Sequence, residues 1–385
     1  MQNRETNPID VQPENGPAAP RRSRVEEAWR LLKKNKLALA GFLIFVLFFL
    51  IALTGVWLTS GTKPIIDPSL VRLPEKLRPP LSSPVTAVLR PGEIPALGIY
   101  LFGTDELGRD VFARMLQGAW VSLTVGFVAV GISVLLGIFM GGVSGYYGER
   151  LVRVRHVLAS FSILVGGGFL AAGNLPVGMI LCLFAMAFVA LSRNKALRRH
   201  PGIRFLFAGT FSVDTLIMRF VDIMLCFPSF FLILTVVALL PPSIYNIMIV
   251  IGLTSWEGTA RFVRAEFLSL REQDFVTAAR ALGVNDLRII FRHMVPNAIA
   301  PVLVSATIGI AGAILTEAGL SFLGFGVPPP HATWGNVLSD GKNYIFDAPW
   351  LTFVPGFAIL IVVLSFNLFG EGLRDILNPK LRERY

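Results

Sequence analysis

The chain has 385 residues, of which 54% are hydrophobic and only 16% charged, and its formal net charge is +10. Soluble globular proteins carry about a quarter charged residues, so this composition excludes an ordinary soluble domain and requires lipid to cover much of the surface. The basic residues lie in short segments between apolar runs. This pattern is typical of the cytoplasmic loops of a membrane protein, and no base-stacking or groove-reading motif accompanies it, so we expect no nucleic-acid partner.

Side chains that could carry catalysis or bind a metal form no recognisable set in this sequence. Cys182 and Cys226 both lie inside apolar runs, where thiols are more often small apolar side chains than a disulfide. The four histidines lie at no metal-ligand spacing, and Gly341-Lys342 lacks the hydroxyl and the preceding loop of a phosphate-binding motif. We therefore expect no catalytic, cofactor or metal site on this chain.

The first part of the chain combines a polar tail with two apolar runs. Residues 1–24 are predicted to be a disordered tail. Residues 37–58 are charge-free and long enough to cross a bilayer as a helix, and no small-residue cleavage site follows them clearly, so we interpret them as an uncleaved anchor. Residues 61–117 are rich in proline and polar residues and are predicted to be a hydrated loop, after which residues 119–143 form the second span.

A long charge-free segment, residues 157–191, comes next. As one helix it would extend about 52 Å, which exceeds a bilayer core of about 30 Å. Gly173, Asn174 and Pro176 lie midway and favour a turn, so the segment is predicted to be a hairpin of two short spans. A re-entrant or interfacial hairpin remains the alternative.

Four further apolar runs bring the predicted spans to eight, and they lie at residues 216–240, 245–263, 297–317 and 350–369. With this number of spans, the lysine and arginine bias places both termini in the cytoplasm and the loops 61–117 and 321–348 outside. The predicted fold class is therefore an all-α polytopic membrane protein.

One charged stretch between spans, residues 264–297, has the pattern of two short helices. Phe275, Ala278, Ala279 and Leu282 recur at helical spacing and are predicted to share one face. Gly283 is suited to the left-handed conformation that ends a helix. A second helix is expected over residues 285–293, and Pro296 marks the start of the next span.

This stretch resembles the EAA loop of ABC-importer permeases, since Ala278, Ala279, Gly283 and Pro296 match that loop in residue and spacing. Thr277 stands where the family usually has glutamate. Ordered motifs elsewhere resemble the second permease subunit of the oligopeptide, dipeptide and nickel importers, and they lie at residues 101–110, 214–228, 317–335 and 367–375. The resemblance covers roughly residues 25–148 and 212–380, whereas residues 150–211 form an insertion without a counterpart.

The resemblance implies the permease fold of type I ABC importers, with six family spans plus the inserted hairpin. It divides the chain into a tail (1–24), a first part (25–148), the inserted hairpin (149–211), a core (212–375) and a second tail (376–385). The implied partners are a second permease, two cytoplasmic ATPases that hold ATP and Mg²⁺, and an extracytoplasmic solute-binding protein, all at a bacterial inner membrane. The implied substrate is a di- or oligopeptide, with a nickel chelate as an alternative. A secondary transporter that works without ATP remains the alternative function for the chain.

By the same resemblance, the residues that couple transport to the ATPases are Asp274, Thr277, Ala278, Ala279, Leu282, Gly283 and Pro296. Candidates for the translocation path or for intramembrane ion pairs are Arg219 with Asp222, Glu257 with Arg261, and Glu317, which faces either the path or the membrane interface.

An outer-side motif comprises Gly103, Thr104, Asp105, Gly108, Arg109 and Asp110. It is open to two interpretations, substrate contact or structural capping with Thr104 as the helix cap. The insertion is likewise either a lipid-facing hairpin or a docking surface for another subunit.

Overall fold

The structure is a computed structural model, and it describes residues 24–61, 64–87, 89–153, 175–191 and 210–377, with a few residues between 159 and 170. Nearly all of both predicted tails therefore lies outside the described residues. The described helices are α1 (Arg24–Lys34), α2 (Lys36–Thr59), α3 (Val111–Tyr147), α4 (Leu175–Leu191), α5 (Val213–Cys226), α6 (Ser229–Leu239), α7 (Ile244–Leu253), α8 (Glu257–Arg271), α9 (Asp274–Ala281), α10 (Asp286–Phe322), α11 (Trp334–Gly341) and α12 (Trp350–Leu377). Two short strands, β1 (Leu151–Arg153) and β2 (Thr210–Ser212), pair antiparallel. The predicted all-α class is confirmed.

Four of the described helices, α2, α3, α10 and α12, are long and apolar enough to cross a membrane. Helices α5 and α6 make a fifth candidate, because together they pass the same test although they are bent by 83°. The bend falls at Phe227-Pro228. Proline lacks an amide hydrogen and forces the residue before it into an extended conformation, so the predicted straight span at 216–240 is broken here.

The predicted span at 245–263 is also interrupted. Helix α7 has 10 residues, about 15 Å or half of a bilayer core. It ends at Thr254, whose hydroxyl donates to the Val250 carbonyl at 2.7 Å, and the chain resumes as α8 at Glu257. A single apolar run in the sequence is thus two helices in the structure.

Helix α3 is the central element, and it packs against α2, α7, α8, α10 and α11. Its close approach to α8 depends on glycines four residues apart, Gly137, Gly141 and Gly145. A Cβ atom at Gly137 would lie 2.6 Å from Cβ of Thr259, and one at Gly145 would lie 2.6 Å from Cβ of Phe267. Small residues at this spacing let helix backbones approach closely, as in membrane helix pairs.

The two strands join the ends of the insertion, since Leu151 lies opposite Ser212 and Arg153 opposite Thr210. The chain therefore leaves and re-enters the core at one place. This fits an insertion that leaves the orientation of the flanking spans unchanged. Helix α4 is one arm of the predicted hairpin. Most of the other arm lies outside the described residues, so the hairpin itself stays a prediction.

The sequence predicts a hydrated loop over 321–348, and this is wrong for the centre of the segment. Helix α11 lies within it, and Trp334 at the start of α11 is 1% exposed. The Trp334 indole nitrogen donates to the Met115 carbonyl at 3.2 Å, which fixes α11 against α3. Trp334 belongs to the main core, and its ring packs directly on Gly118 near the start of α3.

Candidate functional site

The coupling segment, residues 264–297, consists of the second half of α8, helix α9 and the start of α10. Helix α9 ends at the predicted position, because Gly283 has a φ of +72° and the Val284 amide donates to the Ala279 carbonyl at 3.1 Å. This is the left-handed C-terminal cap that glycine favours. The Asn285 side chain then caps α10 by accepting the Leu287 amide at 3.0 Å.

Helix α9 buries a different face from the one predicted. Val276 and Ala279 are buried in a cluster with Phe267, Ile289 and Met294. Of the four residues predicted to share a face, only Ala279 is buried, and Leu282 is 82% exposed. The helix is apolar on two sides, and the sequence does not indicate which of them meets the core. The exposed apolar side chains of α9 and its C-terminal cap, Phe275, Ala278 and Leu282, are called the α9 tip below.

The second predicted helix of the coupling segment is not separate. Residues Asp286–Phe322 form one helix that includes a π-helical turn, Ile289–Met294. Pro296 follows this turn at the second position of its α-helical part. A π turn lets a helix continue through residues that break the regular hydrogen-bond ladder, so the proline does not end it. The coupling segment is therefore continuous with a candidate span.

Thr277 and Asp274 lie on the exposed side of α9. The Thr277 hydroxyl donates to the Asp274 carbonyl at 3.0 Å, a local bond within the first turn. Thr277 is uncharged, so it cannot form an ion pair with a partner as a glutamate at this position of the EAA loop could.

Ion pairs connect the coupling segment to the flanks of the insertion. Arg271, the last residue of α8, binds Glu149 at 2.7 Å. Asp286, the first residue of α10, accepts from Arg150 at 2.8 Å and from the Tyr146 hydroxyl at 2.8 Å. Together with Tyr147, Glu272 and Arg280, these residues line a cleft of about 490 Å³.

The predicted pairs in the apolar region are only partly observed. Asp222 binds Arg261 at 2.5 Å and Arg219 more weakly at 3.7 Å. The predicted pair between Glu257 and Arg261 does not form, because Arg261 turns towards α5. One carboxylate oxygen of Glu257 is buried with no hydrogen-bond partner among the described residues.

The outer-side motif forms a buried ionic cluster. Asp105 is fully buried and binds Arg109 at 2.6 Å and Arg114 at 2.7 Å. Both arginines also bind Asp340 of α11, at 2.9 and 2.6 Å. These bonds fix α11 to the start of α3, so the motif holds the fold together at this end. Arg114 and Asp340 were missed because they lie 226 positions apart in the chain.

The helix cap in this motif is Asp110 and not Thr104. The Asp110 carboxylate accepts the Phe112 amide at 2.9 Å. Thr104 is buried, and its hydroxyl donates to the Glu75 carbonyl at 2.5 Å and accepts the Arg78 amide at 2.8 Å. The hydrogen bonds of the Thr104 hydroxyl are thus made to residues 75–78, a contact that the residues around Thr104 in the sequence do not predict.

Glycines and one tyrosine complete the packing of this outer part. Gly103 and Gly108 both have positive φ, +78° and +71°, and a side chain at Gly103 would meet the Arg78 carbonyl at 2.5 Å. Burial raises the pKa of Tyr100 to about 12, so its hydroxyl is neutral at ordinary pH.

Glu317 faces neither of the two environments proposed from the sequence. It is 1% exposed inside the subunit. Its carboxylate accepts from Ser321 at 2.7 Å and from Ser122 at 3.4 Å, so it joins α10 to α3. Among the described residues, no group of three or more potential metal ligands occurs.

The comparisons with known proteins agree with this geometry. Residues 206–383 match the model for the binding-protein-dependent transport system inner membrane component, and residues 23–80 match the N-terminal transmembrane domain of oligopeptide transport permease C. The chain belongs to this permease family, in its oligopeptide and dipeptide permease C branch. Residues 81–205, which hold most of the insertion, lie outside both matched segments.

Named relatives cover almost the whole chain. The dipeptide transport system permease protein of Alkalihalophilus pseudofirmus is 36% identical over 92% of this chain and 90% of its own length. The di/tripeptide transport system permease protein of Pseudomonas aeruginosa is 33% identical over 96% of this chain and 97% of its own. The oligopeptide transport system permease protein of Bacillus subtilis is 30% identical over 93% and 90%. The chain is thus a multi-pass membrane transport subunit of the ABC transporter family.

Proposed function

We propose that this chain is the permease subunit that, with a second permease, forms the path for peptides in an ATP-driven importer. Two cytoplasmic ATPases, which bind ATP and Mg²⁺, act on the coupling segment, and an extracytoplasmic solute-binding protein delivers the substrate. Both termini are then in the cytoplasm of a bacterial cell, and the outer-side motif is outside. The observation that carries the proposal is the α9 tip, an exposed apolar surface on a helix outside the candidate spans.

The packing of the coupling segment would transmit a movement of α9 to the membrane-spanning helices. Val276 and Ala279 pack on Phe267 of α8 and on Met294 of α10. Helix α10 is a single helix from Asp286 to Phe322, and α8 is locked to the α3 glycines. Packed elements of this kind move as rigid bodies, so closure of the ATPases would tilt α8 and α10 together.

Peptides are the favoured substrate because the relatives are named as dipeptide, di/tripeptide and oligopeptide permeases. The charged side chains that would line the path are Arg219, Asp222, Arg261 and Glu257. The side chains of the first three are 77%, 44% and 50% exposed on the surface of α5 and α8. Charges at such depth are stable only against protein or water, so this surface faces the second permease or the path between the two.

The test is purification of the tagged chain from detergent, followed by mass spectrometry of the proteins that accompany it. We expect two P-loop ATPases and a second permease. Leu282→Asp, which places a charge on the α9 tip, should lose the ATPases. Leu97→Asp is the matched control, because Leu97 is 54% exposed in the segment between α2 and α3. Recovery of the wild-type chain alone would contradict the proposal and favour a secondary transporter.

A further inference from the structure

The two ends of the insertion meet beside the coupling segment. Strands β1 and β2 pair from Leu151 opposite Ser212 to Arg153 opposite Thr210. Two further backbone bonds extend this contact, because the Val213 amide donates to the Arg150 carbonyl at 3.0 Å and the Asp214 amide to the Gly148 carbonyl at 3.4 Å. We call residues 148–153 and 210–214 the insertion root.

The insertion root binds the coupling segment through three carboxylate–guanidinium pairs. Glu149 binds Arg271 at the end of α8, at 2.7 Å. Arg150 binds Asp286 at the start of α10, at 2.8 Å. On the other flank, Asp214 binds Arg264 in the middle of α8 through both of its oxygens. The root therefore contacts the elements on both sides of α9.

The three pairs hold the elements that precede and follow α9, and none of them includes a residue of α9 itself. Helix α9 has 8 residues, of which only Val276 and Ala279 are buried. These two side chains pack on α8 and on the start of α10, so α9 follows the elements on either side of it. Its angle is set by the end of α8 and the start of α10, and the root holds both of those ends.

The pair between Asp214 and Arg264 is more than a surface ion pair, because its two side chains are 25% and 32% exposed. In the pair between Arg271 and Glu149, Arg271 is 16% exposed but Glu149 is 84% exposed. Asp214 also accepts from the Ser144 hydroxyl at 2.5 Å, and Asp286 from the Tyr146 hydroxyl. Charge pairs that are partly dry and share further hydrogen bonds keep a fixed geometry, whereas exposed single pairs contribute little.

We propose that the insertion root is a positioning element for the coupling helix, and that it keeps ATP hydrolysis tied to transport by fixing the angle at which α9 meets its partner. The inference rests on the proposed function above. It assigns the role to Glu149, Arg150 and Asp214, which lie outside the coupling segment, and it does not require the inserted hairpin beyond the root.

The test is a charge swap at the pair between Glu149 and Arg271. The complex is purified through this chain and reconstituted, and the number of ATP molecules hydrolysed per molecule of labelled Ala-Ala taken up is measured. Glu149→Arg should raise this ratio about two- to fivefold, which corresponds to a pair worth up to about 1 kcal/mol. The double variant Glu149→Arg with Arg271→Glu should restore the wild-type ratio. Asp67→Arg makes the same charge change in the outer segment, where the Asp67 carboxylate accepts from the Ser69 amide and hydroxyl, and it should leave the ratio unchanged.

Two deletion variants separate the root from the hairpin. Because Arg153 and Thr210 are cross-strand neighbours, an Asn-Gly turn can replace residues 154–209 and close β1 on β2. This variant should keep the wild-type ratio, whereas replacing residues 149–213 with a flexible linker should raise it. If Glu149→Arg prevents assembly, Glu149→Gln removes the charge without repulsion and gives the same comparison.

Two outcomes would overturn the inference. One is an unchanged ratio in Glu149→Arg and Glu149→Gln, and the other is a raised ratio that the double swap does not restore. Either leaves the proposed function standing as long as the wild-type complex takes up peptide only with ATP. Loss of ATP-dependent uptake in the wild type would instead refute the proposed function.

Discussion

The guanidinium of Arg264 binds both carboxylate oxygens of Asp214, across 50 positions of the chain. The Ser144 hydroxyl donates to the same carboxylate at 2.5 Å. Three helices, α3, α5 and α8, therefore meet at one carboxylate at the edge of the coupling segment. This junction connects the insertion root to the helix that leads into α9.

We predict that a double-mutant cycle with Asp214→Ala and Arg264→Ala gives a coupling energy of about 1–3 kcal/mol. The quantity to measure is the free energy of unfolding in detergent. A matched cycle at Glu257 and Arg261, which are four residues apart but do not pair, should give a value near zero. Equal coupling energies in the two cycles would contradict the observed pairing.

The packing of α3 on α8 should tolerate no side chain at the glycine stripe. Gly141→Ala would place a Cβ atom against the Ala260 carbonyl, and we expect it to destabilise the protein by about 1–3 kcal/mol. Gly131→Ala is the control on the same helix, since its Cβ would meet no atom within 4 Å, and it should be neutral or slightly stabilising. Thermal unfolding in detergent distinguishes the two, and similar melting temperatures would refute the close approach.

The outer ionic cluster should be sensitive to the loss of its buried carboxylate. Asp105→Ala leaves Arg114, whose side chain is 4% exposed, without its fully buried partner, and breaking a buried pair in this way costs about 3–5 kcal/mol. Asp67→Ala removes a partly exposed carboxylate of the same segment and should cost less than about 0.5 kcal/mol. A small effect of Asp105→Ala on the unfolding transition would mean that Asp340 alone satisfies both arginines.

The turn after α9 should require glycine because of its backbone conformation, and not because a side chain would clash with a neighbour. A Cβ atom at Gly283 would meet nothing within 4 Å, but its φ is +72°. Gly283→Val should therefore strain or displace the turn, by about 1–2 kcal/mol, and should uncouple ATP hydrolysis from uptake while the complex still assembles. Gly258→Ala, in a helical position of α8 with no atom within 4 Å, is the control. Unchanged coupling in Gly283→Val would remove the turn from the mechanism.

Local features of this chain were predictable from sequence because each depends on neighbouring residues. The left-handed turn at Gly283 and the apolar runs of α2, α3 and α12 are of this kind.

The features that failed depend on distant contacts. Arg261 lies one turn from Glu257, yet it binds Asp222 on another helix. Threonine is a residue type that often caps helices, but the Thr104 hydroxyl instead donates to the carbonyl of Glu75 in a neighbouring loop. The ionic cluster of Asp105 includes Asp340 from the far end of the chain. The close packing of α3 on α8 could have been predicted, because glycines spaced four residues apart, at 137, 141 and 145, indicate close helix packing.

The central claim is that this chain couples peptide uptake to ATP hydrolysis by partner subunits. Uptake of labelled Ala-Ala into vesicles that contain the complex purified through this chain, with its binding protein outside, tests it most directly. The account predicts accumulation with ATP on the ATPase side, none with a non-hydrolysable analogue, and loss of accumulation in Leu282→Asp. Equal accumulation without ATP, driven by an ion gradient and unaffected by Leu282→Asp, would contradict it.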